Sequence, residues 1–119
     1  SDLIIEEEYS NNITRVFVSG EADIYTSTKL KDRLYDIVDT RKTDLKIDCS
    51  ELNYIDSTGL GVFAGILKRV KQYGNNVYLI GLKSNIKKLF TITGLDKLFI
   101  IEEWKYGIIC WMHRAFITF

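Results

Sequence analysis

The spacing of apolar residues changes period repeatedly along this chain, and no other feature restricts its fold as tightly. Leu3 to Tyr9 reads as a short strand and Ser10, Asn11 and Asn12 are turn formers. Ile13 to Ser19 is a second strand, with Ile13, Val16, Phe17 and Val18 supplying β-branched and aromatic character. Two strands joined by so short a turn form an antiparallel hairpin. From Thr26 the period becomes helical: Leu30, Leu34, Ile37 and Val38 share one face, and Thr26 or Ser27 is placed to cap it. Strand alternation returns in Asp44 to Cys49, where Leu45, Ile47 and Cys49 face inward. Ser57 to Tyr73 is a helix with Leu60, Phe63, Ala64, Leu67 and Val70 as its buried stripe, stopped by Gly74. Val77 to Ile80 is a strand, Ser84 to Thr91 a short helix with Ile86, Leu89 and Phe90 inward that ends near Gly94, and Leu98 to Ile101 a last strand.

The order β-β-α-β-α-β-α-β predicts an α/β domain. Its sheet is mixed and mostly parallel, starts with an antiparallel hairpin, and carries its helices mainly on one face. The chain has 119 residues, no proline and no linker-like stretch, so residues 1–101 are read as one domain. Glu6, Glu7 and Glu8 fall inside the first strand, where they charge an exposed edge against aggregation.

Counting residues removes several function classes. Sixteen Lys and Arg balance sixteen Asp and Glu. That gives no basic surface for nucleic acid and no polybasic reason to sit on a membrane. His113 is the only histidine, near the C-terminus, which leaves a histidine-dependent hydrolase without a well-placed base. Cys49 and Cys110 form no CxxC pair, and no HxxxH spacing occurs, so neither a metal nor another cofactor is expected. Both thiols are expected reduced, Cys49 in the core, as in a cytoplasmic protein. No apolar run approaches the ~20 residues of a membrane span, and no signal peptide is recognisable. Met112 is the only methionine, so an N-terminus trimmed ahead of Ser1 is expected.

In folds of this kind, sites gather where strands end and the following helices begin. Two segments qualify: Gly20-Glu21-Ala22-Asp23 and Asn53-Tyr54-Ile55-Asp56-Ser57-Thr58. Ser57 falls at or next to a helix N-cap, beside unpaired backbone N–H groups and the positive end of the helix dipole. Such a place favours negative charge, a phosphate included. Gly59, Gly61 and Gly65 strip side chains from the first turns, as the close approach of another backbone or of a partner would require. The plainer reading is that Asp56 or Ser57 caps the helix and the glycines allow tight packing. Neither GxSxG nor a phosphate-binding GxxxxGK[ST] loop is present.

Ile55-Asp56-Ser57-Thr58-Gly59-Leu60-Gly61-Val62 resembles the phosphorylation-site signature of bacterial anti-sigma factor antagonists, the STAS-domain family. Gly20-Glu21-Ala22-Asp23 resembles that family's Gly-Glu-(Leu or Ile)-Asp loop, with Ala22 in place of a larger aliphatic residue. Leu89-Phe90-Thr91-Ile92-Thr93-Gly94-Leu95 resembles its Leu-Phe-x-x-x-Gly-Leu segment, and the three motifs stand in order over residues 3–101. The resemblance implies a partner switch in transcription regulation that catalyses nothing itself. The unphosphorylated form binds an anti-sigma factor and frees a sigma factor. That anti-sigma factor is a serine kinase that phosphorylates Ser57, which ends binding, and a serine phosphatase resets the cycle. General-stress and sporulation versions share these motifs.

Thr58 is the secondary acceptor. Partner-contact candidates are Glu21, Asp23, Asp56, Ser57, Thr58, Gly59 and Gly61, with Val62 and Ile66 beside Arg69 on the helix face opposite the core stripe. Asp23 is equally readable as the cap of its own loop.

Two rival readings stand beside this one. The first is a STAS-type sensory or nucleotide-binding module without sigma-factor control. The second is a small α/β enzyme or an aspartyl phosphoacceptor, which the opening hairpin disfavours. Residues 102–119 depart from the family: Trp104, Ile108, Trp111, Met112 and Ala115 fit helical spacing, and Ile109 and Phe116 widen the apolar face. This segment packs on the domain or on a second copy, giving a homodimer, or else is extraneous to the fold.

Overall fold

A computed structural model describes residues 2–103, so the expectations about Cys110, Met112, His113 and the apolar C-terminal segment from Trp104 onward lie outside the described residues. The elements are β1 (Leu3–Ser10), β2 (Ile13–Ala22), α1 (Ser27–Arg41), β3 (Asp44–Ile55), α2 (Ser57–Gln72), β4 (Val77–Ile80), α3 (Ser84–Thr93), a 3-10 turn (Leu95–Lys97) and β5 (Ile100–Glu102). The expected order therefore holds. The sheet runs β1-β2-β3-β4-β5, with β1 antiparallel to β2 and every later pair parallel. Right-handed crossovers between successive neighbours place all three helices over one face.

Alternation explains which side is buried. Val16 and Val18 of β2, Leu45, Ile47 and Cys49 of β3, and Val77 and Leu79 of β4 point under the helices and are buried. They meet Leu30, Leu34, Ile37 and Val38, the four residues expected on the inner face of α1. Burial pushes the Cys49 thiol far up, so it stays protonated and inert. Phe90 of α3 stands edge-on to Phe63 of α2, ring centroids 6.0 Å apart, and to Phe99 at 5.6 Å, which ties the third helix to the rest of the core.

Several boundaries differ from the sequence expectation. β3 continues six residues past Cys49, because its inward residues step by three, Cys49 to Leu52 to Ile55, where β2 and β3 shift register. α3 continues to Thr93, and Gly94 ends it with φ 77°. Leu98 closes the 3-10 turn through its N–H to the Leu95 carbonyl, 3.0 Å, which delays β5 to Ile100. Leu89 lies on the exposed side of α3, and Ala64 is only half-buried. Glu7 does not simply charge the sheet edge; it pairs with Arg41 at 2.9 Å and Arg33 at 3.9 Å, fastening β1 to α1.

The two long helices are joined at their C-terminal halves. Arg69 donates two hydrogen bonds of 2.8 Å to the Asp39 carboxylate and stacks over the Tyr35 ring, and the Tyr73 hydroxyl donates to Asp39 at 2.8 Å. The Tyr73 hydroxyl and the Arg69 guanidinium hold the Asp39 carboxyl below the usual carboxylate range. A group so depressed stabilises the fold above its unfolded pKa and loses that contribution as pH falls through the folded one. Asp39→Asn is therefore expected to melt below the unaltered chain by a constant margin near neutral pH. That margin shrinks as pH drops below about 4, the ordinary Asp range, in thermal melts followed by circular dichroism.

Candidate functional site

β2 and β3 outrun β4. Their last paired residues are Glu21 with Tyr54 and Ala22 with Ile55, whereas β4 leaves β3 at Asp48. Parallel strands that end in register deliver their next residues side by side. Asp23 and Asp56 thus become neighbours although 33 positions separate them in the chain (56 − 23).

Asp56 is the N-cap of α2 and makes four bonds. Its Oδ1 accepts the Gly59 N–H at 3.0 Å and its carbonyl accepts the Leu60 N–H at 2.9 Å. Its Oδ2 accepts the Ile24 N–H at 3.1 Å, and its own N–H donates to the Ala22 carbonyl at 3.2 Å. The carboxylate therefore starts the helix with one oxygen and holds the β2–α1 loop with the other.

Asp23 is buried and turns into its own loop. Its Oδ1 accepts the N–H groups of Tyr25 at 2.9 Å and Thr26 at 3.0 Å. This is the loop-capping arrangement the sequence allowed for. Thr26 precedes α1 but does not cap it through its side chain. Its hydroxyl donates to the Glu21 carbonyl at 2.6 Å and accepts the Asp23 N–H at 3.0 Å, and Ser27 Oγ donates to the Ile24 carbonyl at 3.3 Å. Glu21 is a half-buried β2 residue, not a loop residue.

Ser57 and Thr58 are the first two residues of α2 and both are exposed. Ser57 is thus inside the helix, with the cap one residue earlier. Among the described residues, no hydrogen bond engages either hydroxyl. Nor does any group of three His, Cys, Asp or Glu there form a metal site. Both Asp56 oxygens already accept backbone N–H groups. The site therefore offers an exposed hydroxyl directly beside the Asp56 carboxylate that caps α2.

The three glycines differ in what they do. A Cβ at Gly59 would strike the Ala22 carbonyl and lie 2.8 Å from Ile55 Cγ1 and 3.0 Å from Ala22 Cβ. Gly59 is buried and lets α2 start directly against the end of β2. Gly65 faces the Tyr35 hydroxyl of α1. Only Gly61 opens on empty space, on the exposed side of the helix.

Val62 and Ile66 are not on a free face. They are 8% and 0% exposed, and Arg69 beside them is committed to Asp39. Helix α2 packs against α1 as well as the sheet, so its buried arc is wider than one stripe and includes both. The exposed positions of α2 within a turn of Ser57 are instead Thr58 and Gly61.

One feature of the site was not anticipated from sequence. Ile24, Tyr25 and Tyr54 are 65%, 87% and 49% exposed around Asp56. The signal was present as large apolar residues placed between turn-forming ones.

The STAS domain family matches residues 5–106. The anti-sigma-B factor antagonist of Listeria monocytogenes is 40% identical over 99 residues, covering 83% of this chain and 86% of that protein. The anti-sigma-B factor antagonist of Staphylococcus epidermidis is 36% identical over 102 residues, 86% of this chain and 94% of that one. Among solved structures, an anti-sigma factor antagonist from Mycobacterium paratuberculosis superposes with a TM-score of 0.73 at 27% identity, covering 85% and 86% of the two chains.

Proposed function

The chain belongs to the STAS-domain family, and on that premise we propose that it is an anti-sigma factor antagonist switched by phosphorylation of Ser57. One observation carries the reading: a serine hydroxyl exposed on the first turn of α2, directly after the aspartate that caps it. The unphosphorylated face binds an anti-sigma factor with serine-kinase activity and so releases a sigma factor. The kinase transfers phosphate to Ser57, with Thr58 the secondary acceptor, and a serine phosphatase removes it. The chain itself is the substrate in this cycle. Relatives named as anti-sigma-B factor antagonists over most of their length support the role.

The physical basis is local charge and bulk. A phosphate adds about −1.5 to −2 charges to a neutral hydroxyl. Within the free chain, the start of α2 offsets part of that charge. Against a partner packed on Ser57, Thr58 and Gly61, the same group costs desolvation, excludes the surface and is repelled by Asp56.

The test combines the chain with the cognate anti-sigma factor and Mg-ATP, followed by intact mass and peptide mapping. One phosphate is expected on the Ser57 peptide of the unaltered chain and none on Ser57→Ala, which should hold the partner persistently. Phosphate mapping elsewhere, or no complex, would favour a STAS module without sigma-factor control.

A further inference from the structure

We infer that Tyr25, with Ile24, is the docking determinant through which the kinase finds Ser57, and that Asp56 is the positioning residue that holds this determinant beside the acceptor. The inference rests on the reading of Ser57 given above and names the part of the surface that recognises the kinase. Three consecutive backbone N–H groups in the β2–α1 loop are pinned by carboxylates: Ile24 by Asp56 Oδ2 at 3.1 Å, and Tyr25 and Thr26 by Asp23 Oδ1 at 2.9 and 3.0 Å. A loop tied at every residue holds a fixed shape. This one holds an aliphatic and an aromatic side chain out in water, 65% and 87% exposed.

Large apolar side chains on a preorganised backbone lose little entropy when they bind, and aromatic ones dominate interface energetics. The partner chemistry this fits is an apolar recess that takes a ring, set at a fixed distance from the phosphoryl donor. The Asp56 bridge supplies the fixed distance on this side, because the same carboxylate caps the helix that presents Ser57. Ile92 on α3 is 79% exposed but lacks that link, lying on a helix that no bond joins to the site.

Steady-state phosphorylation by the cognate anti-sigma factor with Mg-ATP tests the inference, with the antagonist as varied substrate. Tyr25→Ala should raise KM by about thirtyfold, the size of a hot-spot loss, and leave kcat within about twofold. Tyr25→Phe should restore KM, since the ring and not the hydroxyl fills the recess. Ile92→Ser, equally exposed but remote, should change neither constant. Asp56→Asn keeps an oxygen for the Gly59 N–H but loses the acceptor for Ile24. It should raise KM and speed amide hydrogen exchange at Ile24, while the thermal midpoint of Tyr25→Ala stays unchanged. If the unaltered chain is phosphorylated on Ser57 and Tyr25→Ala shows unaltered KM, or if kcat falls in place of a rise in KM, the docking role is overturned and the Ser57 reading survives. If the unaltered chain is neither bound nor phosphorylated, both fall together.

Discussion

Ser57→Asp is expected to bind the cognate anti-sigma factor at least about a hundredfold more weakly than the unaltered chain, a difference of roughly 2.7 kcal/mol, and to melt at the same temperature or slightly above. The binding loss follows from placing a carboxylate beside Asp56 on a surface where the free hydroxyl makes no bond of its own. The retained stability follows from the same position. The side chain is exposed, so no packing is lost. An acidic residue in the first turn of a helix interacts favourably with the dipole, by about 0.3–1 kcal/mol at the surface. Weak binding with an intact fold is what a charge switch requires. Titration calorimetry against the anti-sigma factor, paired with thermal melts, reads both quantities. Tight binding by Ser57→Asp would mean that charge at this hydroxyl does not control the partner.

The second large effect concerns the fold. Phe90→Ala should destabilise by about 3–5 kcal/mol, the usual range for a buried aromatic truncated to alanine. Phe90 is fully buried and touches Phe63 and Phe99 edge-on at 6.0 and 5.6 Å, so one substitution empties the place where α2, α3 and the approach to β5 meet. For a domain of this size each kcal/mol moves the midpoint by roughly 3–6 °C, so a fall of about 10 °C or more is expected. Urea unfolding should show a lower midpoint with an unchanged slope. A loss below about 1 kcal/mol would mean that the three rings do not form one packed unit. Because Ser57 is exposed while the emptied space is buried in the core, the variant should still accept phosphate below its melting range.

How much of this was readable in advance depends on how local the determinant is. The four inward residues of α1, the stops at Gly74 and Gly94 and the opening hairpin all follow from interactions within a few residues, and all appear in the structure. The buried status of Val62 and Ile66 does not follow that way. It depends on α2 having two neighbours, α1 and the sheet, and a periodicity argument that assumes one buried stripe assigns them to solvent. The six-residue extension of β3 was hidden for a related reason: register shifts against β2 broke the alternation that marks a strand.

The sequence alone determined the element order, the mostly parallel sheet that order demands, and the helical start that presents Ser57. Each is a matter of spacing along the chain. Only the tertiary structure decided that Asp23 and Asp56 stand side by side, that Asp56 divides its two oxygens between a helix and a loop, and that Ile24 and Tyr25 face water in the loop Asp56 holds. Those facts depend on where β2 and β3 end relative to each other. That offset is set by register shifts between residues more than thirty positions apart, and no local preference encodes it.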